Sequence, residues 1–181
     1  MKKFELTAEF VTNVFGKKLF RIKALVAFGG VEKGELGGFI EKEDNLSHDG
    51  NAWVYGDAQV YGDAQVSGDA WVSGAAQVSG NAQVYGNAQV YGNARVSGNA
   101  QVSGNADYAA VAGFGHCFRA TTFFRCKDKI LRVQCGCFYG DLAKFREIVK
   151  KTHGDSKYAK EYLAIADLME LHFSDECGGE Q

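Results

Sequence analysis

Gly50-Asn51-Ala52-Trp53-Val54-Tyr55 and Gly56-Asp57-Ala58-Gln59-Val60-Tyr61 open a six-residue phrase that runs to Ala106 without insertion or deletion. It reads Gly-(Asn/Asp)-Ala-x-Val-(Ser/Tyr), where x is Gln except at Trp53, Trp71 and Arg95. Ala75 is the one departure in the Asn/Asp column. A fixed short period of this kind names a repeat architecture before any other reading of the chain.

The physics of one unit is brief. Strand alternation sends Ala52 and Val54 to one face and Trp53 and Tyr55 to the other. Gly56-Asp57 then turns the chain, because Gly and Asn/Asp tolerate positive φ. Each unit is a short strand and a corner, with too little apolar surface to fold alone. Coils stacked about 4.8 Å apart bury that surface against one another. Each buried Val contributes roughly 1.5–3 kcal/mol, and the nine valines from Val54 to Val102 can form one continuous core. The stretch predicts a solenoid.

The phrase resembles the hexapeptide repeat of left-handed parallel β-helices, in which a small residue follows an aliphatic one by four positions. Val54/Ala58, Val60/Ala64 and Val66/Ala70 fit, as do the later units. The resemblance implies three units per triangular coil, left-handed winding and a homotrimer. Such winding departs from the usual right-handed crossover. A coil of three units stacks Trp53 on Trp71, Gln59 on Gln77, and Gln65 on Gln83 and Gln101. That fold hosts acyltransferases, metalloenzymes and inert scaffolds, so it does not give function by itself.

The flanks differ from the repeat. Residues 1–49 read as an N-terminal β-rich cap, with strand-like Phe4–Leu6, Leu19–Ile22 and Leu25–Phe28 around a turn near Asn13 and Gly16. His48 stands one unit before Val54, in the valine slot of the frame. The helix proper is expected over 50–106. Residues 107–181 read as an α+β module of ββαα order. Phe118–Phe124 and Ile130–Cys137 are the expected strands, and Gly140-Asp141 and Asp155-Ser156 the helix starts. Leu142, Phe145, Ile148 and Val149 form one apolar helix side, and Tyr158, Tyr162, Ile165 and Met169 the other. Both flanks can cover the open solenoid ends, which otherwise invite edge-to-edge association. The order from Gly37-Gly38-Phe39-Ile40 through the hexapeptides to Cys135-Gly136-Cys137 and Thr152-His153-Gly154-Asp155 resembles proteins of phage and prophage genomes. That likeness covers nearly the whole length and implies a phage origin and a host-cytoplasm setting.

Composition narrows the function. The 181 residues carry a formal charge of −2, which excludes a generally basic binder of duplex nucleic acid. No apolar run approaches the length of a membrane span, and Met1-Lys2-Lys3 leads into alternating, charged sequence with no signal-peptide pattern. Five cysteines at irregular spacing read as reduced thiols, consistent with a cytoplasmic location. Cys117, Cys126, Cys135, Cys137, His116 and His153 could approach a metal, but buried cysteines commonly pack as small apolar groups. No metal or cofactor is expected.

Catalysis inside the coil lacks its parts. Hexapeptide acyltransferases need an inserted loop and a proton-accepting His. The zinc enzymes of the fold need three His. The repeat has no loop and no His. Outside it, His48 or His116 could still serve a CoA-dependent acyltransferase, which remains one alternative. A purely structural or adaptor scaffold is another, since the outer rows of Gln, Ser and Tyr could pair chains.

Charge favours a third reading. From Arg119 to Lys160 there are eleven Lys/Arg and four Asp/Glu, a net of +7. From Glu161 to Gln181 there are six acids and no Lys or Arg. Arg119, Thr121, Thr122 and Arg125, with His116, follow the glycines of Gly113-Phe114-Gly115. Guanidinium, hydroxyl and aromatic groups alternating on a strand suit a phosphate and a base. The sequence therefore predicts a non-enzymatic, oligomeric protein that holds an anionic small molecule, with a nucleotide signal as one candidate.

Overall fold

The computed structural model describes residues 1–174. Its centre is a three-sided parallel β-helix of two-residue strands. In chain order these are β4 (Trp53–Val54), β5 (Gln59–Val60), β6 (Gln65–Val66), β7 (Trp71–Val72), β8 (Gln77–Val78), β9 (Gln83–Val84), β10 (Gln89–Val90), β11 (Arg95–Val96) and β12 (Gln101–Val102). Strands three units apart pair in parallel: Trp53 with Trp71, Gln59 with Gln77, Gln65 with Gln83. The expected rows are formed. Every Ala and Val of the frame from Ala52 to Val102 is fully buried.

Backbone hydrogen bonds run from coil to coil, as from Gln59 N–H to Ala76 O (2.9 Å) and Tyr61 N–H to Val78 O (3.0 Å). The corners explain the glycine column. Gly80 has φ +68°, and a Cβ there would lie 2.9 Å from the Gly98 nitrogen one coil on. Conformation and stacking distance both demand glycine.

The N-terminal cap is built from β1 (Phe4–Thr12), β2 (Lys18–Ala24) and β3 (Leu36–Ile40). The β1–β2 and β2–β3 pairs are antiparallel, and β3 then pairs in parallel with β5, so cap and solenoid face form one six-stranded sheet. The lead-in coil differs from expectation at His48. Ile40 stacks on Val60 and Leu46 on Val66, both across a longer stretch of chain than the three-unit step of the later coils. Leu46, not His48, therefore fills the inward slot, and its spacing to Val54 exceeds the six-residue period by two positions. His48 stays half-buried outside, its ring stacked on Phe4 at 4.3 Å and its Nδ1 accepting from Lys3 N–H at 3.1 Å. Trp53 is on the outer side of the coil, yet Phe4 and Phe28 cover it edge-on at 6.3 and 5.4 Å. Lys3 also lies buried at this end, with Nζ donating to Ala52 O at 2.9 Å and resting over the Phe28 ring.

The other end is closed by a meander of β13 (Tyr108–Val111), β14 (Thr121–Arg125), β15 (Leu131–Cys135) and β16 (Phe138–Asp141). Two more strands thus flank the expected pair, and both expected strands are shorter. Phe118 takes φ +51° outside β14, and Gly136, at φ +59°, turns the chain between β15 and β16. Cys135 and Cys137 sit on opposite sides of that turn, not on one strand. Strand alternation in β14 gives it two faces. Phe124 joins the solenoid core, whereas Phe123 joins the core beneath α1 (Leu142–His153) and α2 (Lys157–Phe173). Asp141 caps α1 by accepting from Lys144 N–H, and Ser156 caps α2 by accepting from Ala159 N–H. Part of the acidic C-terminal run (Asp175, Glu176 and Glu180) lies outside the described residues. No described helix is long and apolar enough to cross a membrane.

Candidate functional site

Between the solenoid and the C-terminal module lies a groove of about 850 Å³. Its floor is the face carrying Gln77 and Arg95, where Arg95 stacks directly on Gln77. Phe15 from the β1–β2 turn lines it on one side; Phe118, Arg119 and Cys137 line it on the other. Arg95 is positioned by its backbone, whose N–H donates to Thr122 Oγ1 at 2.9 Å. Ser97 adds a second tie, donating from Oγ to Gln134 Oε1 at 3.1 Å. Arg119 extends across Gly136, where a Cβ would lie 2.6 Å from its Nη1; the glycine makes room for the guanidinium.

The arginines divide cleanly. Arg21 pairs with Glu9, Arg125 with Asp107, Arg132 with Asp128, and Arg146 with Asp167 and Glu170. Among the described arginines, Arg95 and Arg119 alone have no carboxylate partner, and both line this groove. Two guanidiniums without carboxylates along one concavity have the chemistry for bidentate recognition of phosphate or carboxylate.

Arg119 and Cys117 also line a smaller cleft, about 210 Å³, between the meander and the helices. Gly115 N–H donates to Glu161 Oε2 at 2.8 Å, which ties the loop bearing both residues to α2. His116 sits at the cleft, edge-on to Tyr158 at 5.6 Å, with Nδ1 3.5 Å from Cys117 Sγ. His153 lies over Tyr162, centroids 5.8 Å apart. Burial, and then the Cys135 thiol to which it hydrogen-bonds, push the Tyr162 hydroxyl up to about 12. Among the described residues, no three His, Cys, Asp or Glu side chains gather where a metal ion could be held.

The residues singled out from the sequence therefore separate. Arg119 lines both the groove and the adjoining cleft, and His116 the cleft alone. Thr121 and Thr122 are buried: Thr121 Oγ1 donates to Cys135 Sγ at 3.2 Å, and Thr122 supports Arg95. Both hydroxyls hold the module together and are closed to a ligand. Arg125 points elsewhere, donating from Nη2 to Phe173 O at 3.1 Å. Sequence reasoning missed Arg95 and Tyr162, and considered His153 only as a possible metal ligand. The signal for Arg95 was present, as the only cation among the repeat's x positions.

A family model described as the YdcK Beta solenoid repeat matches residues 58–74, 64–80, 76–90 and 88–104. The matches fall wholly within the coil and are similar to it in repeat and architecture; they do not extend to the cap or the C-terminal module. No curated protein matches the chain.

Proposed function

We propose that this protein holds an anionic small molecule in the groove between solenoid and C-terminal module, without turning it over. The observation that carries the reading is the pair of arginines, Arg95 and Arg119, left without carboxylates in one concavity. Absence of turnover is supported by the unbroken coil, which offers no inserted loop for acyl transfer. The Cys117–His116 contact is not a built dyad, since among the described residues no hydrogen bond orients His116 Nε2. The likeness of the chain's order to phage-borne proteins supports a setting in which holding a host signal molecule amounts to sequestration. A homotrimer would present three such grooves.

Calorimetry with pyrophosphate and other polyanions tests the reading. Arg95→Gln restores the residue most other units carry and so should fold normally; Arg119→Ala removes the second grip. A charge-assisted contact is worth roughly 1.5–3 kcal/mol, so each variant should weaken binding about tenfold or more. Ligand recovered unchanged after binding supports holding; a converted product refutes it. If both variants bind as tightly as the wild type, the groove is not the site.

A further inference from the structure

The groove does not end at Arg119. The guanidinium stands where the open, polar groove meets the smaller cleft under the helices. Beyond it the surroundings change. Phe138, Phe145 and Val149 give the cleft an apolar wall, while His116, His153 and Tyr162 place hydrogen-bonding groups among the rings. The His153 and Tyr162 rings are inclined at 32° to each other. A volume of about 210 Å³ equals that of about seven waters at ~30 Å³ each, which suits one flat ring system. Whole drug-sized ligands take roughly 300–1,000 Å³.

A simple inorganic anion would use the groove and leave the cleft idle. An acyl chain would make no use of the two imidazoles. A heteroaromatic base uses both, through ring stacking and through hydrogen bonds at its edge. We infer that the ligand is a nucleoside phosphate, with its base in the cleft beside His153 and Tyr162 and its phosphates in the groove on Arg95 and Arg119. This inference rests on the groove being the anion site. Phe118, 69% exposed where the loop enters the groove, supplies a further ring face along the sugar's path.

The test is calorimetry on the full chain with pyrophosphate, with free nucleosides and with the common nucleoside diphosphates. At least one diphosphate should bind tenfold or more tightly than pyrophosphate, and its free nucleoside much more weakly than either. Thr152→Trp, at an exposed α1 position lining the cleft, should fill it and bring nucleotide affinity down to that of pyrophosphate. A melting curve establishes that this variant is folded, and the wild-type comparison decides the matter without it. If pyrophosphate binds as tightly as every nucleotide, or folded Thr152→Trp binds nucleotide undiminished, the base is not in the cleft, and the anion groove stands alone. If pyrophosphate and all nucleotides fail to bind, the groove reading falls and this inference with it.

Discussion

Lys3 shows how a single side chain closes the end of a solenoid. Where the first coil begins, Gly50 O and Ala52 O are met by a side chain instead of an earlier coil's N–H: Lys3 Nζ reaches both, while Ala58 O, Val60 O and Val66 O accept from the lead-in chain. Burial lowers its pKa from 10.5 to about 8. The linkage sign follows from proton counts. Between pH 8 and 10.5 the unfolded chain keeps a proton that the folded chain has released, so this group makes stability rise with pH. Cys126, raised above its usual 9.0 by burial, acts in the opposite sense above pH 9. Tyr108 and Tyr162, both pushed up to about 12, oppose it above pH 10. The window from pH 8 to 9 therefore carries the Lys3 slope with least interference. Denaturant melts of wild type and Lys3→Met across that window should show the wild type gaining, within a full effect of roughly 1–3 kcal/mol. Parallel behaviour of the two proteins would mean that Lys3 is not desolvated.

At the scale of the corner element, the glycines separate conformation from packing. Gly80 and Gly92 share a positive φ, +68° and +66°, but a Cβ would touch the next coil only at Gly80. Gly104 has φ −156° and nothing within 4 Å. Gly104→Ala should lie within about 0.5 kcal/mol of wild type. Gly92→Ala should cost about 1–2 kcal/mol for the left-handed backbone, and Gly80→Ala clearly more. Equal losses at 80 and 92 would show that coil-to-coil contact does not constrain the column. The same element explains what could be read in advance. A period of six fixes the inward rows and the corners, because each residue repeats its environment; the three-unit stacking comes from the likeness to left-handed β-helices. The lead-in coil escaped that logic because two extra residues between Leu46 and Val54 shift His48 out of frame, and only the positions of Leu46 and Val66 reveal them. Thr121 and Thr122 escaped for a related reason. Arg, Thr and Phe alternating on a strand describe a ligand-facing edge and a central strand between two cores equally well. The choice is made by Phe124 meeting one core and Phe123 the other.

For the whole molecule, the outward faces of the column bear on whether copies pair. One face is occupied: the groove, the β1–β2 turn and the C-terminal module lie along Gln77 and Arg95. The other two present outward rows without charge, Gln65–Gln83–Gln101 on one and Trp71–Gln89 on the other beyond the capped Trp53, with Trp71 38% and Tyr91 63% exposed. Gln101 Nε2 already reaches Gln83 Oε1 at 3.4 Å, so the amide row is ordered along the column. Rows of uncharged amides and aromatics suit contact between copies better than full solvation. A homotrimer should give a light-scattering mass three times the 19.7 kDa of the chain at micromolar concentration. Gln83→Lys would set a charge in the middle of one row. Across a three-fold interface that charge meets its own copies and should shift the mass toward monomer, while a monomeric column would accept it with an unchanged melting temperature. A wild-type mass near that of one chain removes the trimer. It leaves the anion groove intact, because Arg95 and Arg119 come from the same chain, and ligand affinity should then be independent of protein concentration.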